Sequence, residues 1–450
     1  MRRLRLRALA ACTLVALAGP AGAAEIARVA TSEGGNLFDL HVSLRWDRTQ
    51  LRGKITREQA DPSLNPPFGA VVDVDELRYT RVTNALVPRF AVGLHRDVEF
   101  HVELPYVLAD DHSWRYAIVN GFSVERDSTI ANNDIDATGQ LCDPSGAACP
   151  LFPVGSGTTV YHGGRAGDVK AGFAWGIFSD ARDDTKPFWL VGADLTFPTA
   201  SMYDPAAGPR SAGWASPHVS SGNPAPFGDK VWKYDLYTVL SRRLGPIDPY
   251  FKAHVTGMRR SSGTYSNCDR MAALADPALG EATPAGAANC ADQGWEDDSA
   301  ARLPWIAGVT FGTELVPYEN RSADQKVSID VRAFADYTSS QRFYNPLSDM
   351  SGKLHATEPY LTMGGLFGLY LRASRFVSLH ASGSLATQTA HFLSGESLGR
   401  AGVEAGDVTG LTPNAALNPN FDWRYDAPGR RFRFSETSVF ALSVAGVLQF

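Results

Sequence analysis

The sequence predicts an all-β fold, a transmembrane antiparallel up-and-down β-barrel of about 14 strands, with 12 or 16 as alternatives. Three observations predict it. Segments with period-two alternation recur along the chain, the connections between them alternate between short and long, and the chain begins with a secretory signal. A membrane barrel has short turns at one end and long loops at the other, whereas a soluble sandwich has no reason to sort its connections in this way.

The first element is an export signal at residues 1–23. MRRLRLR is a basic n-region, ALAACTLVALAG is an apolar h-region, and Ala21-Gly22-Ala23 is a small-residue cleavage site. The alternative is a lipoprotein anchored at Cys12, but the apolar run between Arg7 and Cys12 is too short for an h-region. We therefore expect a single mature domain over residues 24–450.

Alternating segments predict the strands of the barrel. The segment 49–57 alternates weakly. The predicted strands cover residues 37–46, 49–57, 72–83, 87–95, 98–108, 167–178, 187–198, 230–243, 248–258, 303–316, 325–338, 358–372, 374–386 and 436–450.

The connections sort into two classes. Short polar turns follow residues 95, 178, 243, 316 and 372, and a medium connection covers 339–357. Between the short turns lie long stretches, which we predict to be extracellular loops because strands of a barrel run up and down in succession. These predicted loops lie near 109–166, 199–229, 259–302 and 387–432.

Each strand presents one apolar and one polar face. In the strand 98–108, Val98, Phe100 and Val102 alternate with charged residues. Because ionised groups facing lipid cost about 2–4 kcal/mol at the midplane for arginine or lysine, charges in mid-strand must face the wet interior. The candidate lumen-lining residues are His41, Glu99, His101, Glu103, Asp194, Lys233, Asp235, His254, Asp330, Arg332 and Asp336.

Clustered carboxylates and imidazoles can also bind a metal or relay protons. Strand spacing alone does not bring ligands from separate strands within coordination distance. We therefore interpret the polar face as the lining of a wet lumen. The sequence gives no metal site and no cofactor.

The chain ends in FALSVAGVLQF, an alternating strand whose last residue is Phe450. Its alternate residues are expected to face lipid. A C-terminal aromatic residue resembles the signal by which bacterial outer-membrane barrels are recognised for insertion. The expected partners are therefore the lipid bilayer and the outer-membrane insertion machinery.

Two cysteine pairs fall in polar connections, Cys142 with Cys149 and Cys268 with Cys290. An exported chain meets an oxidising compartment, so we predict two local disulfides. Zinc is the alternative, but CxxC pairs and neighbouring histidines are missing.

Composition excludes other classes of protein. Acidic residues (48) outnumber basic residues (42), which argues against a sequence-independent hold on nucleic acid. After the signal there is no apolar run of about 18 residues, so no transmembrane helix is expected. Gly395-Glu396-Ser397-Leu398-Gly399 matches the GxSxG pattern but lacks the strand-to-helix context of a nucleophile elbow. We do not expect an enzyme; a surface hydrolase is the hypothesis that this motif would support.

Three stretches together resemble the sequence pattern of a known protein family: RFAVGLHRDVEFHVELPYVLAD, AGDVKAGFAWGIF and FWLVGADLTFPTA. Their features are Gly93 through Asp97, Leu104-Pro105-Tyr106, Gly167-Asp168 and Pro198-Thr199. Over about residues 86–200, the sequence resembles the outer-membrane family named after the meta-cleavage pathway of phenol degradation. The resemblance implies a barrel akin to the fatty-acid and aromatic-hydrocarbon channels that passes small organic molecules, and it brings no catalytic residues.

This sequence departs from that family in two ways. The predicted outer loops are unusually long and contain cysteine pairs. Only about a dozen residues precede the first strand of the mature chain, which predicts no N-terminal plug of the kind found in the fatty-acid channels.

We expect a bacterial outer-membrane channel for passive passage of small solutes, organic or hydrophobic ones included. The charged interior favours polar solutes. The alternative is a structural barrel that anchors or scaffolds an envelope-spanning or adhesion complex, which the long loops favour.

Overall fold

The computed structural model describes residues 24–30, 39–60, 71–142, 151–152, 158–179, 183, 185–205, 221–269, 286–290, 295, 300–400 and 414–450. The predicted signal peptide, residues 1–23, lies outside these ranges, as do parts of the predicted long loops. Among the described residues, no helix has the length and hydropathy needed to cross a membrane.

Strands dominate the described chain, and the only α-helix in it is the short α1 (Ser348–Ser351); 3-10 turns lie at Glu25–Ala27, Val124–Asp127, Ala287–Cys290 and Arg321–Ala323. The strands are β1 (Asp39–Ala60), β2 (Val71–His95), β3 (Val98–Glu103), β4 (Tyr106–Tyr116), β5 (Ile118–Val119), β6 (Phe122–Ser123), β7 (Thr159–His162), β8 (Arg165–Ala166), β9 (Val169–Phe178), β10 (Phe188–Phe197), β11 (Val231–Ser241), β12 (Ile247–Arg260), β13 (Ile306–Asn320), β14 (Gln325–Thr338), β15 (Gln341–Phe343), β16 (His355–Thr357), β17 (Tyr360–Ser374), β18 (Val377–Gln388), β19 (His391–Phe392) and β20 (Phe432–Gln449).

The strands close into an antiparallel barrel. Sixteen of them form one sheet; β4, β7, β8 and β19 extend its wall at one end, and the remaining twelve close on themselves. The first strand, β1, pairs with β2 along one edge and with the last strand, β20, along the other. Leu44, for example, lies opposite Pro88 and Gly446. The barrel thus has no free edge.

The expected count of about 14 strands is corrected to twelve, one of the two alternatives. The predicted strands 37–46 and 49–57 are one strand of 22 residues, and 72–83 and 87–95 are one strand of 25. The polar residues between them pair in register, Asp47 with Ala85 and Arg48 with Asn84. About 9–11 residues of a tilted strand cross a bilayer, so β1 and β2 continue beyond it. The polar residues in the middle of these long strands therefore resemble turns when only the sequence is considered.

The predicted loop bounds are also corrected. β4 extends to Tyr116, well inside the predicted loop 109–166, and β7 and β8 lie further along the same stretch. β18 and β19 extend into the predicted loop 387–432. Beyond the membrane both faces of a strand meet protein or water, so these segments lack the contrast between an apolar and a polar face that predicts a strand.

The outside of the barrel is apolar and exposed. The rings of the neighbours Phe100 and Phe173 contact each other in a tilted arrangement with centroids 5.0 Å apart, as do those of Phe251 and Phe311. A closed barrel with an apolar exterior satisfies its backbone hydrogen bonds internally and presents apolar side chains to lipid. This protein is therefore an outer-membrane β-barrel. The exposed outward residues include Leu44, Phe90, Phe173, Leu236, Val255, Phe311, Val331, Phe367, Leu385, Phe440, Val444, Leu448 and Phe450.

One end of the barrel carries a folded lobe, which we call the cap: the described residues of 117–166, 198–229, 261–305, 339–359 and 389–431. The other end has the short turns and both termini of the described chain. The apolar core of the cap is shared with the extended ends of β1, β2, β4 and β20. Its residues from the strands and from the cap include Ile55, Leu77, Tyr79, Trp114, Ile130, Phe152, Leu347, Met350, Tyr425, Phe432 and Phe434.

Buried polar contacts connect the segments of the cap. The Arg57 guanidinium donates to the carbonyl of Thr129 at 2.7 Å, to Asn133 Oδ1 at 3.1 Å and to the carbonyl of Arg424. Asn267 donates to the carbonyl of Leu354 at 3.0 Å. Because an unpaired buried polar group is costly, these contacts stabilise the packing of the segments against one another.

The disulfide between Cys268 and Cys290 is present in the cap, as predicted. It closes a loop of sequence separation 22. The second predicted disulfide joins Cys142 to Cys149, and Cys149 lies outside the described residues, so this bond stays a prediction.

Phe434 joins the cap to the barrel, and we predict that Phe434→Ala loosens the cap while the barrel stays closed. The ring is 1% exposed and lies 6.0 Å from that of Tyr79. A Cβ added at Gly53 would lie 2.3 Å from it, so Gly53 permits this close approach. Removing a buried Phe side chain costs about 3–5 kcal/mol. Trypsin should cleave the cap faster in the variant, with the heat-modifiable gel mobility of the barrel retained.

Phe440→Ala is the matched control on the same strand, because its ring is 46% exposed on the lipid-facing side. Equal protease resistance of the cap in Phe434→Ala and wild type would contradict this role of Phe434.

Candidate functional site: the barrel interior

The polar faces of the strands meet inside the barrel, where one charge cluster includes Glu99, His101 and Asp194. His101 Nδ1 lies 3.2 Å from Glu99 Oε1, and its Nε2 lies 3.1 Å from Asp194 Oδ1. Arg89 pairs with Glu99 at 2.6 Å, and Lys170 pairs with Asp194 at 2.6 Å. Register places these five residues on the adjacent strands β2, β3, β9 and β10. Three predicted residues are therefore brought together.

A glycine permits this cluster to form. Gly172 lies opposite both His101 and Asp194 in the ladder. A Cβ at Gly172 would lie 2.1 Å from Asp194 Oδ1 and 2.7 Å from His101 Nε2. The His101 ring and the Asp194 carboxylate therefore contact each other above the backbone of Gly172, where no side chain lies between them.

The neighbouring part of the wall carries Glu103 and His41. Glu103 pairs with Arg89 at 3.7 Å and with Arg45 at 3.9 Å. His41 Nε2 lies 3.1 Å from Asp39 Oδ2. These pairs continue the charged wall around β1, β2 and β3.

A second cluster forms on the far wall around Asp330 and Arg332. Arg332 Nη2 lies 2.5 Å from Asp330 Oδ2 and donates to the Tyr370 hydroxyl at 3.0 Å. The Tyr250 hydroxyl donates to Asp330 Oδ1 at 2.5 Å. Asp330 is 2% exposed, so its charge depends on these partners.

The remaining predicted residues lie apart from both clusters. Lys233 pairs with Asp229 at 2.6 Å, and Thr256 donates to Asp235 at 2.9 Å. His254 Nε2 is 3.7 Å from Asp336 Oδ1. The predicted residues thus form several groups along the wall and not one site.

Several charged partners were not singled out from the sequence. Each of them occupies an alternate position that puts its side chain on the same face as a predicted residue. This shared face is the feature of the sequence from which they could have been predicted. These partners are Arg45, Arg89, Lys170, Glu314, Lys326 and Arg372.

Residues 24–30, which we call the N-terminal segment, lie inside the barrel near the short turns. The amide of Glu25 donates to Glu314 Oε2 at 2.7 Å, and the amide of Ala30 donates to Glu99 Oε2 at 2.7 Å. Ala27 and Val29 pack against an apolar patch that includes Leu190 and Val239. The sequence predicts only that a plug of the kind found in the fatty-acid channels is missing, and it does not predict this short segment inside the barrel. Seven residues suffice because the wall itself supplies partners for their backbone.

The Glu25 side chain is held by three cations. Arg28 lies 3.6 Å away, Arg372 3.3 Å and Lys326 3.7 Å. Burial raises the pKa of Glu25, but the positive charges outweigh burial and lower its pKa from 4.5 to about 2. Glu25 is therefore ionised at any physiological pH, and its charge fixes the N-terminal segment to β14 and β17.

The GxSxG stretch has a structural role in the cap. Glu396 is buried and accepts from Arg342 Nη2 at 2.7 Å, and the carbonyl of Ser397 accepts from Asn418 at 2.9 Å. In the described stretch 391–400, the short β19 leads into a loop and not into a helix. The Ser397 side chain therefore lacks the strand-to-helix turn that aims a nucleophile.

No protein-family model matches this sequence, and neither does any curated protein. Among solved structures, an outer membrane channel from Pseudomonas putida F1 is 9% identical with a TM-score of 0.39, over 90% of this chain and 95% of that chain. A Pseudomonas aeruginosa FadL homologue is 8% identical with a TM-score of 0.33, over 92% of this chain and 90% of that chain. A deletion mutant of the TodX monoaromatic hydrocarbon channel is 10% identical with a TM-score of 0.32, over 91% of this chain and 90% of that chain. Because these TM-scores are low, the fold assignment depends on the strand pairing and not on these matches.

Gly172→Ala tests whether the His101–Asp194 pair needs a bare backbone. The added methyl group overlaps Asp194 Oδ1, and overpacking of this kind costs about 1–3 kcal/mol. We expect the temperature at which the barrel loses its compact gel mobility to fall by several degrees.

Gly257→Ala on β12 is the control, because a Cβ at Gly257 has no neighbour within 4 Å. Equal thermal stability of the Gly172 and Gly257 variants would show that the contact at Gly172 is not close.

Proposed function

We propose that this protein is an outer-membrane channel for the passive passage of small solutes, organic ones included. The observation that carries this proposal is the interior wall, where charges of both signs extend from the Glu99–His101–Asp194 cluster to the His254–Asp336 pair. A wall of mixed charge suits a polar diffusion path whose rings of charge set selectivity. We therefore assign the half-buried residues among those predicted from the sequence, such as Glu103, Lys233 and Arg332, to the lining of the path. The predicted residues Glu99, His101, Asp194 and Asp330 are buried and hold the charges of the wall in place.

The size of the barrel supports a narrow path. Barrels of about 8 strands are filled by their own side chains, and barrels of about 16–18 leave an aqueous channel. Twelve strands lie between these limits. The N-terminal segment lies inside this space, so solutes pass between it and the wall. We propose that the segment limits the flux at the end with the short turns.

The ends of the chain suit export and insertion. Phe450 is 63% exposed next to the final strand, and Phe440, Val444 and Leu448 alternate outward before it. We propose that this strand is recognised by the outer-membrane insertion machinery, that residues 1–23 are removed on export, and that the cap is extracellular.

The second candidate function is a structural barrel that presents the cap to an envelope-spanning or adhesion complex. The apolar core of the cap favours it, because a pore needs only enough loop to line its mouth. Conductance separates the two functions: a scaffold needs no current.

Glu314→Gln tests the role of the N-terminal segment. Glu314 is 1% exposed, accepts from the Glu25 amide and pairs with Lys326 at 2.5 Å. Removing its charge weakens both contacts and loosens the N-terminal segment. We expect single-channel steps in planar bilayers to become larger than those of wild type.

The matched control is Glu319→Gln on the same strand, since Glu319 pairs with Arg243 at the turn. If the steps of Glu314→Gln equal those of Glu319→Gln, the N-terminal segment does not limit conductance.

Charge substitutions test whether the wall lines the path. Glu103→Gln removes an acidic group and should shift the reversal potential in a salt gradient toward anion selectivity; Arg332→Gln should shift it toward cations. Arg433→Gln is the control, because Arg433 pairs with Asp73 beyond the transmembrane part of the barrel. Unchanged reversal potentials in both interior variants would exclude these walls from the conducting path.

A further inference from the structure

Three side chains from separate chain segments meet where the cap joins the barrel. His112 lies on β4, His162 on β7 and Asp349 on α1. β4 and β7 are paired, with Asp110 opposite His162. Asp349 Oδ2 lies 2.5 Å from His112 Nδ1, and Asp349 Oδ1 lies 3.3 Å from His162 Nε2. Candidate ligand atoms of the three residues all lie within 4.8 Å of one another.

One ring nitrogen of His162, Nε2, has no hydrogen-bond partner in the structure. Its Nδ1 lies 2.9 Å from the carbonyl of Pro226, which can only accept, so Nδ1 carries a hydrogen. In the neutral ring, Nε2 is then an acceptor that faces the carboxylate of Asp349. Nε2 makes no hydrogen bond in the structure, and the side chain is 2% exposed. A cation between Nε2 and the carboxylate would satisfy both.

His112 has a matching outer partner. Its Nε2 lies 3.6 Å from Asp110 Oδ1. Asp110 is itself fixed by two 2.7 Å contacts from Arg81 and by a 2.8 Å hydrogen bond from Thr83. A ligand histidine whose second nitrogen faces a carboxylate or a carbonyl is the usual arrangement around protein-bound metals, because the outer group fixes the tautomer and the ring orientation.

We propose that His112, His162 and Asp349 bind one divalent transition-metal ion, of which Zn²⁺ is the best match. Two imidazoles and a carboxylate form a ligand set that zinc accepts, with bonds of about 2.0–2.2 Å. Ca²⁺ and Mg²⁺ prefer sets made of oxygen. Small side-chain adjustments bring the three ligand atoms to these distances.

A fourth ligand has room. A chamber of about 210 Å³ adjoins the cluster and is lined by all three residues together with Tyr203, Asp229 and Tyr344. The Tyr203 hydroxyl donates to Asp349, and the Tyr344 hydroxyl donates to the carbonyl of Tyr203 at 2.7 Å. Water or the Tyr203 oxygen completes the coordination.

The site joins α1 and β7, which belong to the cap, to β4, which extends the barrel wall. A metal bound there adds its binding free energy to the docking of the cap. The three ligands are far apart in the chain and follow no motif spacing, so the sequence alone does not predict this site. The site does not depend on whether the barrel conducts.

The test is zinc binding by the full exported chain, purified in detergent without a polyhistidine tag and freed of metal with EDTA. Titration calorimetry with ZnCl₂ should give one ion per chain, and Co²⁺ should give the visible absorption of a tetrahedral site. His162→Gln should weaken zinc binding by more than tenfold, and Asp110→Asn by about tenfold, the usual effect of losing an outer partner. His95→Gln, at an exposed histidine beside a short turn at the other end of the barrel, should bind as wild type does.

Wild-type protein that is folded by gel mobility but binds no stoichiometric zinc and gives no Co²⁺ absorption would overturn the proposal. A folded His162→Gln variant with wild-type affinity would also overturn it. If that variant does not fold, two other measurements test the site. Wild-type affinity in a folded His112→Gln variant would overturn the proposal, and so would a wild-type Co²⁺ spectrum without the absorption of a tetrahedral site with nitrogen and oxygen ligands.

Discussion

The structure depends on one constraint: a backbone in lipid must satisfy every hydrogen bond within the protein. β1 meets it by pairing with β2 on one side and β20 on the other, which leaves no open edge. Closure in turn forces alternation, because each strand then has one face toward lipid and one toward the interior. The apolar exterior and the charged interior are two consequences of this single requirement.

Charges enclosed by such a wall need partners, and the interior supplies them in pairs and clusters. His101 lies between Glu99 and Asp194, and Asp330 between Arg332 and Tyr250. The N-terminal segment uses the same partners, because its amides donate to carboxylates of the wall. Beyond the membrane the constraint is relaxed. There the long strands β1 and β2 support a cap whose contacts resemble those of a soluble domain.

Period-two alternation was enough to predict the barrel, its closing strand and the polar face that carries Glu99 and His101. It could not separate a polar mid-strand stretch from a turn, so β1 and β2 were each divided in two. It also could not predict contacts between distant segments. Glu25 reaches Glu314 because the barrel encloses the N-terminal segment, and His112 reaches Asp349 because the cap packs against β4. Such contacts are set by tertiary structure and leave no local pattern in the sequence.

The proposed passage of solutes through the charged interior can be tested by the single-channel conductance of the wild-type protein in a planar bilayer, with compact, heat-modifiable gel mobility as proof of folding. We expect small, discrete current steps that grow with salt concentration. A folded barrel that carries no current under these conditions would contradict it and favour the structural role of the cap.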